Sequence, residues 1–237
     1  VQLPMLMGRV VPVVNIPGIQ NRQLRLDGAT LADIYLGRIK NWNDPRIADL
    51  NSGVKLPDQA ITVVHRSDGS GTSWIFTNYL TQLSQAWKEG PGCGTAVKWP
   101  VGQGGQKNPG VAINVQKIKG AIGYVEYTYA VEAKLKMVQM KNKDGKFVEP
   151  TLESFQAAGA NADWQHAPGL YMVLNNQPGA ASWPITGVTY ILLHKEQPNR
   201  EIGQETLKFF DWCFQAGAAS ARKMDYVPMP ENVITMV

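Results

Sequence analysis

A β-branched run, Ile61-Thr-Val-Val-His65, passes through Arg66-Ser-Asp-Gly-Ser-Gly-Thr72 straight into Ser73-Trp-Ile-Phe-Thr-Asn-Tyr-Leu80, and no other stretch constrains the fold as tightly. Branched side chains favour a buried strand. Phe76, Leu80, Leu83 and Trp87 recur at spacings of four, three and four, so a helix starts near Thr72 with one apolar face turned inward and ends at Lys88-Glu-Gly-Pro-Gly92. A strand feeding a helix through a tight turn is the unit of α/β architecture.

The same alternation runs along the chain. Val10-Val-Pro-Val-Val-Asn-Ile16 reads as a strand ended by Pro17-Gly18, Thr30 caps a short helix through Tyr35 that stops at Gly37, and Asp44-Pro45 opens another. Asn108-Pro109 opens a helix closed by Gly120, Ala121 to Tyr127 is a strand, and Lys143-Asp-Gly-Lys146 is a hairpin turn after Met137 to Met140. Pro184 to His194 is the longest strand expected, and Glu205 to Ala221 a long amphipathic helix carrying Phe209, Phe210, Trp212 and Phe214. Internal repeats are absent.

With 237 residues, 44% hydrophobic and 18% charged, the composition is globular and excludes collagen-like, disordered and disulfide-scaffold classes. No stretch approaches the roughly 18 apolar residues of a membrane helix, and Val1-Gln-Leu-Pro-Met-Leu-Met lacks a basic signal-peptide start, so a mature or cut sequence is expected. The net charge of +4 favours anionic partners. The basic residues are scattered, without the stripe or aromatic array of a nucleic-acid binder. Cys93 and Cys213 have no metal spacing; one bridge or two independent buried thiols both fit the count.

The loop after His65 gathers unpaired backbone N–H groups at a helix start, which is where anions bind. Ser70 and Thr72 add hydroxyl donors, Gly69 and Gly71 let the backbone approach a ligand, and Arg66 brings a planar fork suited to phosphate or carboxylate. Asp68 is placed to hold that guanidinium. A plain turn with a Ser or Thr N-cap is the simpler reading of Gly-Ser-Gly alone; an arginine, an aspartate, two glycines and two hydroxyls within seven residues weigh against it. A P-loop fails for want of a lysine before Thr72, and a nucleophile elbow fails because positions 68 and 72 are Asp and Thr. An aspartyl-phosphate motif centred on Asp68 would need Mg²⁺ and a downstream acidic pair that the sequence does not offer. Gly102-Gln-Gly104-Gly105 is only a loose dinucleotide fingerprint and reads as a glycine-rich surface loop; His65, His166 and His194 are solitary and read as structural, and the tryptophans, Trp74 and Trp87 among them, as packing.

Taken with Gly120-Ala-Ile-Gly-Tyr-Val-Glu-Tyr127, the stretch His65 to Ser73 resembles the phosphate-binding proteins of bacterial phosphate ABC transporters. Leu31 to Trp42, Val97-Lys-Trp-Pro100, Trp183-Pro-Ile-Thr186 and Phe209-Phe-Asp-Trp212 are similar in the same order, so the likeness covers almost the whole chain. It implies a two-lobe α/β periplasmic binding protein of the Venus-flytrap type II class, closing about a hinge on a phosphate ion that is delivered to an inner-membrane ABC permease. It further implies a periplasmic or extracellular place, a monomer when complete, and no cofactor. The family's arginine falls on Arg66, its charge partner on Asp68, and its hydroxyl and backbone donors on Ser70, Gly71 and Thr72.

The opening Gly-Ala-Gly-Ala-Thr-Phe-like stretch of the family, with the Ser-rich loop and the aspartate that accepts the phosphate proton after it, has no counterpart here. The expected division is therefore residues 1–13 as the end of a partial first lobe and hinge, 14–176 as a complete second lobe, and 177–237 as hinge and C-terminal part of the first lobe. A bridge between Cys93 and Cys213, in different lobes, would lock the hinge. On this reading the Pro184 to His194 strand loses strands it should pair with and keeps an exposed edge, the helix from Glu205 lacks part of its floor, and the chain alone binds phosphate weakly. Two functions of other classes compete: a metal-dependent phosphatase using Asp68, and a lobe acting only as an interaction module.

Overall fold

The computed structural model describes all 237 residues. In chain order the strands are β1 (Gln2–Asn15), β2 (Arg25–Leu26), β3 (Thr62–Arg66), β4 (Gln103–Gly105), β5 (Ala121–Glu126), β6 (Lys136–Met137), β7 (Gln139–Lys141), β8 (Phe147–Val148), β9 (Thr186–Leu192) and β10 (Val227–Pro228). The helices are α1 (Gly28–Tyr35), α2 (Pro45–Ala48), α3 (Gly71–Leu83), α4 (Gln85–Glu89), α5 (Lys107–Lys117), α6 (Tyr127–Glu132), α7 (Leu152–Ala160), α8 (Arg200–Gln215), α9 (Gly217–Lys223) and α10 (Glu231–Ile234).

The main sheet follows the order β10-β1-β5-β3-β4, with β6 and β9 also on β1, and a small sheet runs β2-β7-β8. β1 changes partners along its length. Gln2 to Arg9 pair antiparallel with β9, whereas Val10 to Asn15 pair antiparallel with β5. β3 lies parallel to β5 on one side and to β4 on the other, which carries Arg66 to the sheet's rim just before α3. The core beneath is one cluster of 44 buried residues, with Val10, Val11, Val13, Val14 and Ile16 of the β1 region fully enclosed. A strand covered on both faces reads as a continuous apolar run rather than an alternating one.

Several expectations need correction. The longest strand is β1, 14 residues, and not the Pro184 to His194 stretch, where β9 spans 7. Pro4 conceals the early half, because proline ordinarily ends a strand; a register shift between Pro4 and Leu6 accommodates it. The open edge expected of the Pro184 to His194 strand is present, since β9 pairs with β1 alone, over Gln2 to Arg9. The cap of α1 is Asp27, whose carboxylate accepts the Thr30 amide, so Thr30 lies inside the helix. The helix expected through Trp87 breaks at Ser84, whose extended backbone ends α3 while its hydroxyl caps α4. Lys107, not Asn108, begins α5, and the helix expected from Glu205 begins at Arg200 behind an Asn199 cap and breaks at Ala216.

The Gly102 to Gly105 stretch is not a surface loop: β4 lies inside it, paired with Val64 to Arg66. Cys93 is exposed rather than buried, and both cysteines are free. Trp42 and Trp183 pack in the core outside any helix, while Trp212 on α8 stands 55% exposed.

Gly105 is where β4 and α5 approach too closely for a side chain. A Cβ there would lie 2.6 Å from the Val111 nitrogen and 2.7 Å from the Gly110 carbonyl carbon, both backbone atoms that cannot swing aside. Gly105→Ala is expected to destabilise the chain by roughly 1–3 kcal/mol, the range for overpacking. Urea unfolding checks this, and an unchanged midpoint would show that α5 yields freely.

Candidate anion site

Arg66 ends β3, and its side chain is largely buried, 8% exposed. Its Nε donates to Asp68 Oδ1 at 2.8 Å and its Nη2 to Asp68 Oδ2 at 2.7 Å, a two-point pair that fixes the plane of the guanidinium. Nη1 has no protein acceptor and is not sealed from solvent. Asp68 Oδ1 also accepts the Lys107 amide at 2.9 Å, so one carboxylate ties the β3 rim to the start of α5. The Arg66 guanidinium first, and then the Lys107 amide, hold the Asp68 pKa well below the usual carboxylate range.

Ser70 is the N-cap of α3: its hydroxyl oxygen accepts the Ser73 amide at 3.3 Å, and its own amide donates to the Thr95 carbonyl at 2.9 Å. The simple-turn reading and the anion-site reading therefore hold together, since capping leaves the Ser70 proton free. The amides of Gly71 and Thr72 have no protein acceptor, as expected of the first turn of a helix. Gly69 and Gly71 have no heavy atom within 4 Å of an added Cβ, and neither has a positive φ. Glycine is not demanded there by backbone conformation; it leaves the amide face bare.

The structure thus brings Arg66, Asp68, Ser70, Gly71 and Thr72 together at one rim: two free amides at the positive end of a 13-residue helix, two hydroxyls and one open guanidinium nitrogen. Sequence reasoning missed three neighbours. Ser73, Tyr124 and Lys107 join the site through hydrogen bonds spanning up to 58 residues, which no local spacing discloses. His65 stacks on Trp99, with centroids 4.8 Å apart and planes 11° from parallel, and so packs the back of the loop. A largely apolar recess of about 320 Å3 lies elsewhere, against α8 and α9, and no lysine, arginine or histidine lines it.

Known proteins resemble this chain in sequence and in fold. Residues 1–216 match the model of the PBP superfamily domain. The phosphate-binding protein PstS of Pasteurella multocida is 54% identical over 236 residues, covering all of this chain and 69% of that protein. The chain belongs to the PstS family. PstS of Haemophilus influenzae is 47% identical, covering all of this chain and 71% of its own length. Among solved structures, a high-affinity periplasmic phosphate-binding protein bound with phosphate superposes with a TM-score of 0.71 at 20% identity, covering all of this chain and 70% of that one. An ABC-type phosphate transport receptor from Vibrio cholerae superposes at 0.61 and 18% identity, over 97% of this chain and 72% of that one. The α/β fold is therefore the two-lobe type II fold of periplasmic binding proteins.

The depressed Asp68 pKa carries a pH signature. A carboxylate whose folded pKa is lowered contributes stability that is fully present above its ordinary value, 3.8, and is lost as pH falls through the folded value. Asp68→Asn should therefore lower the thermal midpoint at pH 7, and the gap from the unaltered chain should close as pH drops below 3.8. Melting followed by circular dichroism from pH 7 to pH 2 reads this, and a gap constant across that range would contradict it.

Proposed function

We propose that this chain binds inorganic phosphate at the Arg66 to Thr72 rim, inside the cleft between two lobes, and passes it to an inner-membrane ABC permease in the periplasm. The observation that carries the reading is the pair of unpartnered Gly71 and Thr72 amides at the start of α3, a few residues beyond Arg66, whose Nη1 has no protein acceptor. Charge-assisted bonds from such donors replace the water shell of an oxyanion. Arg66, Ser70, Gly71 and Thr72 supply donors, and Asp68 orients the guanidinium.

The proposed lobes meet along β1. Residues 1–13 and 177–237 belong to one lobe and its hinge, and residues 14–176 to the other; the change from β9 to β5 between Arg9 and Val10 supports that division. The complete protein works as a monomer.

Binding of this kind needs no covalent step and no cofactor, so the protein is a receptor rather than an enzyme. Phosphatase chemistry at Asp68 is disfavoured, because both carboxylate oxygens are already held by Arg66 and one also by Lys107. No group of three or more His, Cys, Asp or Glu side chains is placed to hold a metal ion.

Arg66→Ala should weaken phosphate binding by roughly 2–5 kcal/mol, the usual cost of removing one partner of a buried charge pair. Asp68→Asn should also weaken it: the loss of a negative charge beside an anion helps, but the freed guanidinium costs more. Isothermal titration with phosphate measures both. Near-native affinity in Arg66→Ala would remove Arg66 from the site, and tighter binding by Asp68→Asn would overturn the orienting role.

A further inference from the structure

We infer that Tyr124 is a positioning residue for this site, its phenolic hydroxyl setting the place of Arg66 and of the first turn of α3 and thereby the affinity of the rim for an oxyanion. The inference rests on the reading of that rim as the phosphate site. Tyr124 sits on β5, and the registered pairs between β3 and β5 are Thr62 with Ala121 and Val63 with Ile122. Beyond them the Arg66 amide donates to the Tyr124 hydroxyl oxygen at 3.2 Å, so a side chain takes over from the ladder at the residue that matters most.

The same oxygen lies 2.7 Å from the Ser73 hydroxyl, and the Ser73 amide in turn donates to Ser70. One buried oxygen therefore touches both ends of the loop, its entry at Arg66 and its exit at Ser73. The ring is held rigidly: it is fully buried, stacks on Phe76 with centroids 4.2 Å apart and planes 9° from parallel, and lies 5.8 Å from Trp99. Burial pushes the phenol pKa up to about 12, so the hydroxyl keeps its proton at any physiological pH. Without that hydroxyl the Arg66 amide is buried with no acceptor, a penalty the loop relieves by shifting. Sites of this kind lose affinity when their donors move by about half an ångström.

The test pairs Tyr124→Phe, which keeps the ring and deletes the hydroxyl, with Phe76→Leu, which keeps the hydroxyl and thins the stack. Each is titrated with inorganic phosphate, melted, and followed by amide hydrogen exchange without phosphate. Tyr124→Phe is expected to bind phosphate about tenfold more weakly, the effect of one hydrogen bond, and to lose protection at the Arg66 amide while Val63 and Val64 keep theirs. Phe76→Leu is expected to lose more thermal stability yet bind within about twofold of the unaltered chain. Affinity within about twofold in Tyr124→Phe overturns the role, as does an affinity loss in Phe76→Leu that matches its loss of stability. If the unaltered chain takes up no phosphate, the functional reading falls. Exchange at Arg66 then decides the positioning role alone: protection retained in Tyr124→Phe overturns it, and protection lost supports it.

Discussion

One strand serves both parts of the structure. β1 gives its first eight residues to β9 and its last six to β5, so this one strand ties the two parts of the main sheet together. The crossing is heavily braced. The Arg9 amide donates to the Glu126 carboxylate at 3.0 Å, Trp183 Nε1–H donates to the Val10 carbonyl at 3.0 Å, and the Val10 amide reaches the Ile185 carbonyl at 3.2 Å. The Arg9 guanidinium lies 4.3 Å from the centre of the Tyr127 ring.

The rim at Arg66 works through division of labour. Asp68 uses both oxygens to fix the guanidinium and a further bond to fix α5, and Nη1 is left without a protein acceptor. Ser70 caps α3 with its oxygen and retains its proton, while the amides of Gly71 and Thr72 stay free. Arg66 and Ser70 each do a structural task and leave a donor over, and the two amides are free from the start, so these donors are fixed in place by the fold itself.

Much of this was legible in the sequence because it is local. Arg66, Asp68, Ser70, Gly71 and Thr72 fall within seven residues, and the turn from β-branched strand to amphipathic helix is written in their neighbours. The β3, β5 and α3 assignments follow from the same short-range patterns. What escaped is long-range or contradicts a local rule. Pro4 hid half of β1, because a proline at a bulge is tolerated only in tertiary context. Ser84 looked like one more helical residue, yet it caps two helices at once. Gly102 to Gly105 looked like loop until β3 supplied a partner, and Tyr124 looked like one apolar residue among many until its hydroxyl proved to sit between Arg66 and Ser73. The exposed Phe209 and Trp212 of α8 agree with a helix that lacks part of its floor, since periodicity reports which face is apolar and not what covers it.

The central claim is that an oxyanion is held by backbone amides at the start of α3 together with Arg66. Titrating inorganic phosphate into the 15N-labelled chain tests it directly, residue by residue. The account predicts saturable shifts that are largest at the Gly71 and Thr72 amides and at the Arg66 side-chain nitrogens. Shifts that saturate elsewhere while those three signals stay in place would contradict it.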